Sequence, residues 1–390
     1  MTERVRRWRM VLGGAAEGEE GLDGVTGADA ARDAALAALY EPDGGGLGGA
    51  GNGPRRGGLQ SSAPRVARWL GDIRTYFPSS VVRVMQQDAV ERLDLRQLLL
   101  EREVLEAVEP DVHLVSTLLT LNDVLPEETR QTARLVVRKV VEDLERRLAP
   151  RTRQAVSGAL DRAARNRRPR HNEIDWERTI RANLRHWQPA HRTIIPETLI
   201  GYGRRQQAVQ RDIVLCVDQS GSMAASVVFA AVFAAVLASL RALRTQLVAF
   251  DTSVVDLTAQ LDDPVDLLFA TQLGGGTDIN RALAYCQSTV TRPTETVLVL
   301  ISDLVEGGSR EEMLQRAAAL VAAGVQVVAL LALSDDGAPA YDHDNATALA
   351  ALGIPAFACT PDLFPELMAA AIERRDITGW AAARDVPLAQ

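Results

Sequence analysis

Three short segments of the chain carry side-chain oxygens directly after or close to predicted strands. Asp218, Ser220 and Ser222 alternate along DQSGSM, so an extended or turning backbone can aim all three the same way. Thr277 follows three glycines in GGGTD, and Asp303 follows the apolar run TVLVLI and one serine. Glycines permit tight bends and close backbone approach. We therefore expect these five side chains to converge.

Carboxylate and hydroxyl oxygens suit a hard cation such as Mg²⁺, with Mn²⁺ or Ca²⁺ as alternatives. They do not suit Zn²⁺, which prefers nitrogen and sulfur. Asp218 and Asp303 together neutralise a divalent ion, and the three hydroxyls add no charge. The ion would keep an electrophilic open position for a carboxylate of a partner protein. This chemistry predicts a metal used for adhesion rather than catalysis.

These residues allow two other interpretations. Ser222 and Thr277 can each cap a following helix, but five donors on three segments exceed what caps require. A metal-dependent hydrolase using the same site is the alternative function. We disfavour it because the three segments contain no His, Glu or Lys to act as general base.

The composition of the chain limits its possible functions and its cellular location. The 390 residues suggest two domains, and a net charge of −8 argues against a nucleic-acid partner for the whole chain. Only one lysine, Lys139, is present; it follows an arginine rather than the glycine of a P-loop, so another protein must hydrolyse any nucleotide. Three cysteines far apart suggest reduced thiols and a cytoplasmic location. The longest apolar run, 227–238, predicts no membrane span, and we expect no secretion signal.

Charge and glycine content divide the chain. Residues 1–211 carry a net charge of +5 and residues 212–390 one of −13. The predicted segments are an N-terminal stretch with a flexible glycine-rich loop, an Arg-rich α-helical domain, an α/β domain and a C-terminal tail: 1–63 (loop 42–58), 64–200, 212–375 and 376–390. Within the helical domain, Pro126 and Pro150 should bracket one helix over 127–148.

The Arg-rich part has 20 basic and 8 acidic residues over 129–211. A solvated helical surface explains this better than nucleic-acid binding, because aromatic residues are sparse there. If this half has a partner, an acidic protein surface is favoured. From residue 212 onward, short apolar strands alternate with helices. That pattern predicts a mostly parallel sheet with helices on both faces and ligands at the carboxyl ends of the strands.

The motifs DQSGSM, GGTD and SD, in this order on this β/α pattern, resemble the metal-ion-dependent adhesion site (MIDAS) of a von Willebrand factor A (VWA) domain, which is Rossmann-like. The resemblance covers about 212–375 and matches all five motif positions. It implies that Ser220, Ser222 and Thr277 bind the ion directly and that the aspartates often act through water. It also implies that Asp278 supports the loop.

The segment IDWERTIRANLRHW (174–187) is similar to the CoxE-like or YehP-like bacterial branch of VWA proteins. This resemblance implies an intracellular protein that accompanies a MoxR-type AAA+ ATPase. The expected function is a non-enzymatic adaptor or co-chaperone whose metal captures an Asp or Glu carboxylate of a client protein. The Arg-rich half would supply a second docking surface.

Overall fold

The computed structural model describes residues 27–40, 63–92, 99–163, 174–189, 191–201, 211–271, 275–335 and 340–389. The glycine-rich loop 42–58 lies outside these residues. The chain divides into two compact units, Met1–Val140 and Val141–Gln390, and the division falls within a helix. The segment boundaries expected from the sequence therefore stay predictions.

Helices make up most of the described part of the first unit and cover the sheet of the second. Those in the described residues are α1 (Ala28–Tyr40), α2 (Ala63–Tyr76), α3 (Ser79–Arg92), α4 (Arg102–Ala107), α5 (Val112–Thr120), α6 (Glu127–Ala163), α7 (Trp176–Ala182), α8 (Ala224–Ala238), α9 (Pro264–Ala270), α10 (Ile279–Thr289), α11 (Arg310–Ala322), α12 (His343–Ala351), α13 (Phe364–Ile372) and α14 (Ile377–Ala382).

The first unit is helical, as the apolar spacing predicts. Helices α1 and α2 pack together and bury Leu39 and Ile73 completely. The indole Nε1 of Trp69 donates a 2.9 Å hydrogen bond to the carbonyl oxygen of Ala35. A buried indole usually needs such a partner, so this bond also fixes how the two helices meet.

Helix α6 corrects the prediction that Pro150 ends a helix. The helix begins after Pro126 as expected but continues through Pro150 to Ala163. Proline at this position removes one hydrogen bond of the helical ladder. Beyond it Val156 and Ala159 are fully buried. Packing of this continued apolar face outweighs the local cost, which sequence spacing around the proline does not reveal.

The second unit is built on a six-stranded sheet in the order β5-β4-β3-β6-β7-β8. A separate two-stranded antiparallel hairpin, β1 with β2, precedes it and was not predicted. The strands are β1 (Trp187–Gln188), β2 (Thr193–Ile194), β3 (Arg211–Asp218), β4 (Leu243–Phe250), β5 (Val254–Asp256), β6 (Thr296–Ile301), β7 (Gln326–Leu333) and β8 (Ala356–Cys359).

All neighbours in this sheet are parallel except the short edge strand β5, which pairs antiparallel with β4. Helix α8 contacts β3, β4 and β7, while α10 contacts β3 and β4 and α11 contacts β7. Alternate residues of β3, such as Val214 and Cys216, join α10 and α11 in one buried apolar cluster. The predicted mostly parallel α/β sheet with helices on both faces, and a helical region before it, is confirmed.

Strand β3 occupies the point where the chain changes direction across the sheet. The chain passes from β3 to β4 on one side, and later places β6, β7 and β8 on the other side. Val217 of β3 pairs with Ile301 of β6. The loops that leave these two strands therefore start side by side, at the place where open α/β sheets bind ligands.

Helix α8 is apolar on all sides and packs within the second unit. The aromatic ring of Phe233 on α8 packs against that of Phe364 on α13, with 4.3 Å between the ring centroids. The 18-residue segment Gly221–Ala238 is long and apolar enough to cross a membrane, and 72% of it is buried inside the protein. This segment is longer than the uninterrupted apolar run 227–238, because it also includes Gly221 and the small polar residues that follow it. A helix that is apolar all round is typical of a protein core as well as of a span.

Candidate metal centre

Asp218 is the last residue of β3 and is completely buried. Its Oδ1 accepts a 2.8 Å hydrogen bond from the backbone N–H of Ser220. Its Oδ2 accepts a 2.7 Å bond from the hydroxyl of Ser302, which follows β6. The carboxylate thus joins the two adjacent strand-end loops and has a fixed orientation.

Asp303, Ser222 and Ser220 form a continuous row of oxygens beside it. The hydroxyl of Ser222 donates to Asp303 Oδ2 at 2.7 Å and lies 3.2 Å from the hydroxyl of Ser220. Asp303 Oδ1 accepts a bond from the N–H of Val305 at 3.2 Å. The structure therefore brings together four of the five predicted donors.

Thr277 reaches the same edge of the sheet through its backbone. Its carbonyl oxygen accepts a 2.8 Å hydrogen bond from Gly307 N–H, in the loop that contains Asp303. The next residue, Asp278, caps α10 by accepting a 2.8 Å bond from Arg281 N–H. Thr277 is largely buried, and among the described residues no hydrogen bond joins its hydroxyl to the other four donors. The structure places Thr277 in the neighbouring loop without linking its side chain to the row.

Both carboxylates are buried and lack a basic partner among the described residues. In that part of the chain neither Asp303 nor Asp218 forms an ion pair. Burial raises the pKa of Asp218, hydrogen bonds from Ser220 and Ser302 lower it, and the charge of Asp303 raises it further. Buried charges are ordinarily paired or bound to a metal. Such a buried pair is the kind of site where a bound cation balances the charge.

The spacing of the oxygens is compatible with a small hard cation. Mg²⁺–oxygen distances of about 2.1 Å in an octahedron place adjacent ligands about 3 Å apart. The 3.2 Å between Ser220 Oγ and Ser222 Oγ and the 2.7 Å between Ser222 Oγ and Asp303 Oδ2 lie on either side of that value. No group of three or more His, Cys, Asp or Glu suited to a metal occurs in the described residues, this site included. The hydroxyl and carboxylate oxygens are donors that suit a hard cation rather than Zn²⁺.

Two supporting residues were not recognised from the sequence. Ser302 holds Asp218 and accepts a 3.0 Å bond from Leu304 N–H. Glu306 accepts bonds from Ile279 N–H at 2.7 Å and from Gly308 N–H at 2.9 Å. The position of Glu306, three residues after Asp303, was the sequence signal for its role. That signal is weak, because carboxylates are common in loops.

The geometry of the Asp303 loop explains why these residues are needed. Leu304 has a positive φ of 63°, which is uncommon for a residue with a side chain. Its carbonyl oxygen accepts a 2.9 Å bond from the buried amide of Asn345. Such strained backbone persists only where its surroundings hold it. Glu306, whose two oxygens already bind backbone N–H groups, is part of that framework rather than a free base.

The chain is similar in sequence to a known protein family and to one curated bacterial protein. The family described as "VWA domain containing CoxE-like protein" matches residues 146–368. The uncharacterized protein YehP of Escherichia coli (strain K12) is 41% identical over 364 residues, which cover 92% of this chain and 94% of that protein.

Solved structures show weaker likeness. The conserved hypothetical protein BatB from Bacteroides thetaiotaomicron is 14% identical with a TM-score of 0.33, and the match covers 44% of this chain and 99% of that one. The von Willebrand factor type A protein from Catenulispora acidiphila is 14% identical with a TM-score of 0.31, and the match covers 43% of each chain.

Proposed function

The chain belongs to the family of CoxE-like proteins with a VWA domain, and from this premise we propose that it is a metal-dependent protein-interaction module with no enzymatic activity of its own. Asp218, Ser220, Ser222, Thr277 and Asp303 hold Mg²⁺, with Mn²⁺ or Ca²⁺ as alternatives. The bound ion supplies a positive charge with an open position that attracts a carboxylate from a partner protein.

The observation that carries this proposal is the pair of buried carboxylates without a basic neighbour among the described residues. Asp218 and Asp303 match a divalent ion in charge, while the hydroxyls of Ser220 and Ser222 add ligands without adding charge. A site of this kind attracts a partner's carboxylate because its ligands do not over-neutralise the ion.

The entrance to the site suits a protein partner. Ser222 is exposed, so a side chain from another protein can reach its hydroxyl. Val305, beside Asp303, is 53% exposed and offers an apolar contact next to the charge. A charged centre with an apolar border is a common arrangement in protein interfaces.

The proposed partners are a MoxR-type AAA+ ATPase and a client protein that presents an Asp or Glu side chain. The support is the CoxE-like family assignment and the absence of a P-loop lysine from this sequence. In this role the chain is an adaptor or co-chaperone, and the ATPase supplies the energy. We place it in the cytoplasm, since its three cysteines are free and buried.

A pull-down with the tagged full chain tests the capture step. We expect the chain to retain partner proteins in Mg²⁺ and to release them in EDTA. Asp218→Ala and Thr277→Ala should each abolish Mg²⁺-dependent retention, because each removes one of five protein ligands. The exposed Asp262→Ala is the control and should behave as wild type. Unchanged, EDTA-insensitive retention by both site variants would refute the proposal.

A calorimetric titration with Mg²⁺ separates metal binding from partner binding. Wild type and Asp262→Ala should bind one ion, and Asp218→Ala should bind at least about a hundredfold more weakly. The non-enzymatic assignment is tested by offering phosphoester and peptide substrates to the purified chain. Turnover that requires Mg²⁺ and disappears in Asp218→Ala would overturn it.

A further inference from the structure

The start of helix α12 holds the backbone of Asp303 and of the residue that follows it. The N–H of Asp342 donates a 2.9 Å hydrogen bond to the carbonyl oxygen of Asp303. The side-chain amide of Asn345 donates a 2.9 Å bond to the carbonyl oxygen of Leu304. Asp342 also caps α12 by accepting a 2.8 Å bond from the N–H of Asn345. One helix terminus therefore fixes two consecutive carbonyl groups of the loop that carries Asp303.

Arg310, at the start of α11, sets the orientation of the Asn345 amide. Its Nε donates a 2.7 Å bond to Asn345 Oδ1, and one of its terminal nitrogens donates a 3.3 Å bond to the carbonyl oxygen of Asp344. A guanidinium has donors only, so it must face the amide oxygen, which leaves the amide NH₂ group facing Leu304. Asn345 is only 1% exposed. Bulk water therefore does not compete for these bonds.

The bond from Asn345 matters because Leu304 has an uncommon conformation. Its φ of 63° is unfavourable for a residue that has a side chain. Its side chain is completely buried, and its N–H donates a 3.0 Å bond to the hydroxyl of Ser302. Without Asn345, the carbonyl oxygen of Leu304 would lose its partner. The strained backbone would then be free to relax.

The peptide unit between Leu304 and Val305 connects this bond to the Asp303 carboxylate. Its carbonyl oxygen accepts the bond from Asn345, and its N–H donates a 3.2 Å bond to Asp303 Oδ1. A peptide unit is planar, so holding its oxygen also orients its N–H. The other carboxylate oxygen, Oδ2, is bound by the hydroxyl of Ser222 at 2.7 Å. One of the two contacts that orient Asp303 therefore depends on Asn345.

We propose that Asn345 and Arg310 are positioning residues for the cation: they fix the peptide unit of Leu304 and Val305, which orients the carboxylate of Asp303. The inference rests on the proposed metal-binding function. No described hydrogen bond joins either side chain to the five predicted ligands. Mg²⁺ demands near-ideal octahedral geometry, whereas Ca²⁺ accepts flexible ligand arrangements. The two residues therefore favour Mg²⁺ over Ca²⁺.

Calorimetric titrations of the full chain with Mg²⁺ and, separately, with Ca²⁺ test this inference. Asn345→Ala should weaken Mg²⁺ binding by about tenfold to a hundredfold, and Ca²⁺ binding by less. Arg310→Ala should weaken Mg²⁺ binding less than Asn345→Ala does. The double variant should be no weaker than Asn345→Ala alone, because both residues act through one amide. A general loss of folded protein would instead lower the number of ions bound per chain.

Asn280→Ala is the matched control, because Asn280 has a similar arrangement of bonds elsewhere. Its side-chain oxygen accepts a 2.7 Å bond from Arg316 Nε, and its NH₂ group donates a 3.0 Å bond to Glu312. Its affinities for both ions should equal those of wild type. In EDTA, hydrogen exchange at residues 302–305 should be faster in Asn345→Ala than in this control, since the loop has lost a contact.

The inference is overturned if Asn345→Ala binds Mg²⁺ as wild type does, or if it loses affinity for Mg²⁺ and Ca²⁺ equally. It is also overturned if Asn280→Ala shows the same losses, or if exchange at 302–305 is unchanged in Asn345→Ala. A wild type that binds neither ion would refute the proposed metal centre itself, and this inference with it. Failure of the inference alone is therefore distinguishable from failure of the proposed function.

Discussion

Asp218 and Asp303 hold negative charge in the protein interior where no basic residue of the described chain balances it. Each oxygen has a hydrogen-bond donor near it, but donors do not remove the repulsion between two carboxylates. We expect this repulsion to destabilise the folded state when no cation is bound. Addition of Mg²⁺ should therefore stabilise the fold as well as complete the site.

Asp303→Asn should have opposite effects in the absence and presence of metal. In EDTA we expect a higher unfolding midpoint than wild type, because the buried charge is removed and the amide can still bond Ser222 and Val305. In saturating Mg²⁺ we expect the free energy of unfolding of the variant to stay unchanged. That of wild type should rise by about 3 kcal/mol at a hundredfold excess of Mg²⁺ over Kd. Thermal denaturation in both buffers measures this.

The exposed variant Asp262→Asn is the control and should match wild type in both buffers. A lower midpoint for Asp303→Asn than for wild type in EDTA would show that the carboxylate contributes to the fold without metal.

At this scale, residue types and spacing predicted which loops carry the candidate donors but not the hydrogen bonds among them. The alternation of Asp218, Ser220 and Ser222 placed them on one loop, and the structure joins the hydroxyls of Ser220 and Ser222 in a row with Asp303, while Asp218 accepts from the backbone N–H of Ser220. The role of Ser302 could not be predicted, because it depends on side-chain rotamers and on the positive φ of Leu304. Neither follows from local sequence.

Between elements, the link from helix α10 to the sheet edge carries a pH-dependent contact. The hydroxyl of Tyr285 on α10 donates a 2.7 Å hydrogen bond to Asp256 Oδ2 on β5. This bond, followed by burial, raises the pKa of Tyr285 to about 12. Burial alone would raise the pKa of Asp256, but hydrogen bonds from Thr258, Tyr285 and Gln246 lower it below its usual range.

The signs of these shifts define when the contact stabilises the protein. For Tyr285 the stabilisation is complete below the ordinary phenol pKa of 10 and is lost as pH rises through about 12. For Asp256 it is present above the ordinary carboxyl pKa and is lost as pH falls through its lowered value. Asp256→Asn should bring the Tyr285 pKa down towards 10, measured by ultraviolet titration of tyrosinate. The Tyr285→Phe variant should lack this transition, which assigns it to Tyr285. An unchanged Tyr285 pKa in Asp256→Asn would contradict the assignment.

The Thr277 and Asp303 loops meet where a side chain has no room. A Cβ added to Gly307 would lie 2.7 Å from the carbonyl oxygen of Thr277, which is backbone and cannot move aside easily. We expect Gly307→Ala to cost about 1–3 kcal/mol in the free energy of unfolding and to weaken Mg²⁺ binding.

Gly221, in the loop after β3, supplies the comparison because a Cβ there meets nothing within 4 Å. Gly221→Ala should be neutral or stabilise by about 0.4–1 kcal/mol through the unfolded state. Urea denaturation of both variants measures the difference, and equal stabilities would show that the two loops are not held as closely as described.

Elements were predictable where one local signal dominates. The run TVLVLI became strand β6 with unchanged bounds, because a fully apolar run of that length suits a buried parallel strand. Pro150 was misleading because burial of residues beyond it maintains α6. The hairpin of β1 and β2 was missed because its strands have two residues each and are mostly exposed.

For the whole molecule, the two compact units should respond differently to metal. The proposed ligands all lie in Val141–Gln390. Hydrogen exchange measured by mass spectrometry should therefore slow on adding Mg²⁺ in the loops at 218–223, 275–279 and 302–308, since an ion holds their backbones together. Exchange in helices α2 to α5 should be unchanged. Slowing spread evenly over those helices would argue against a local site.

Helix α8 cannot be fully buried until a much later part of the chain has been synthesised. The strand β7 that helps to bury it begins about 90 residues after the helix ends. At about 5–20 residues per second, roughly 5 to 20 s pass before β7 has been made. During that interval the apolar segment Gly221–Ala238 lacks part of the surface that buries it in the folded protein. Its burial is therefore completed late in synthesis.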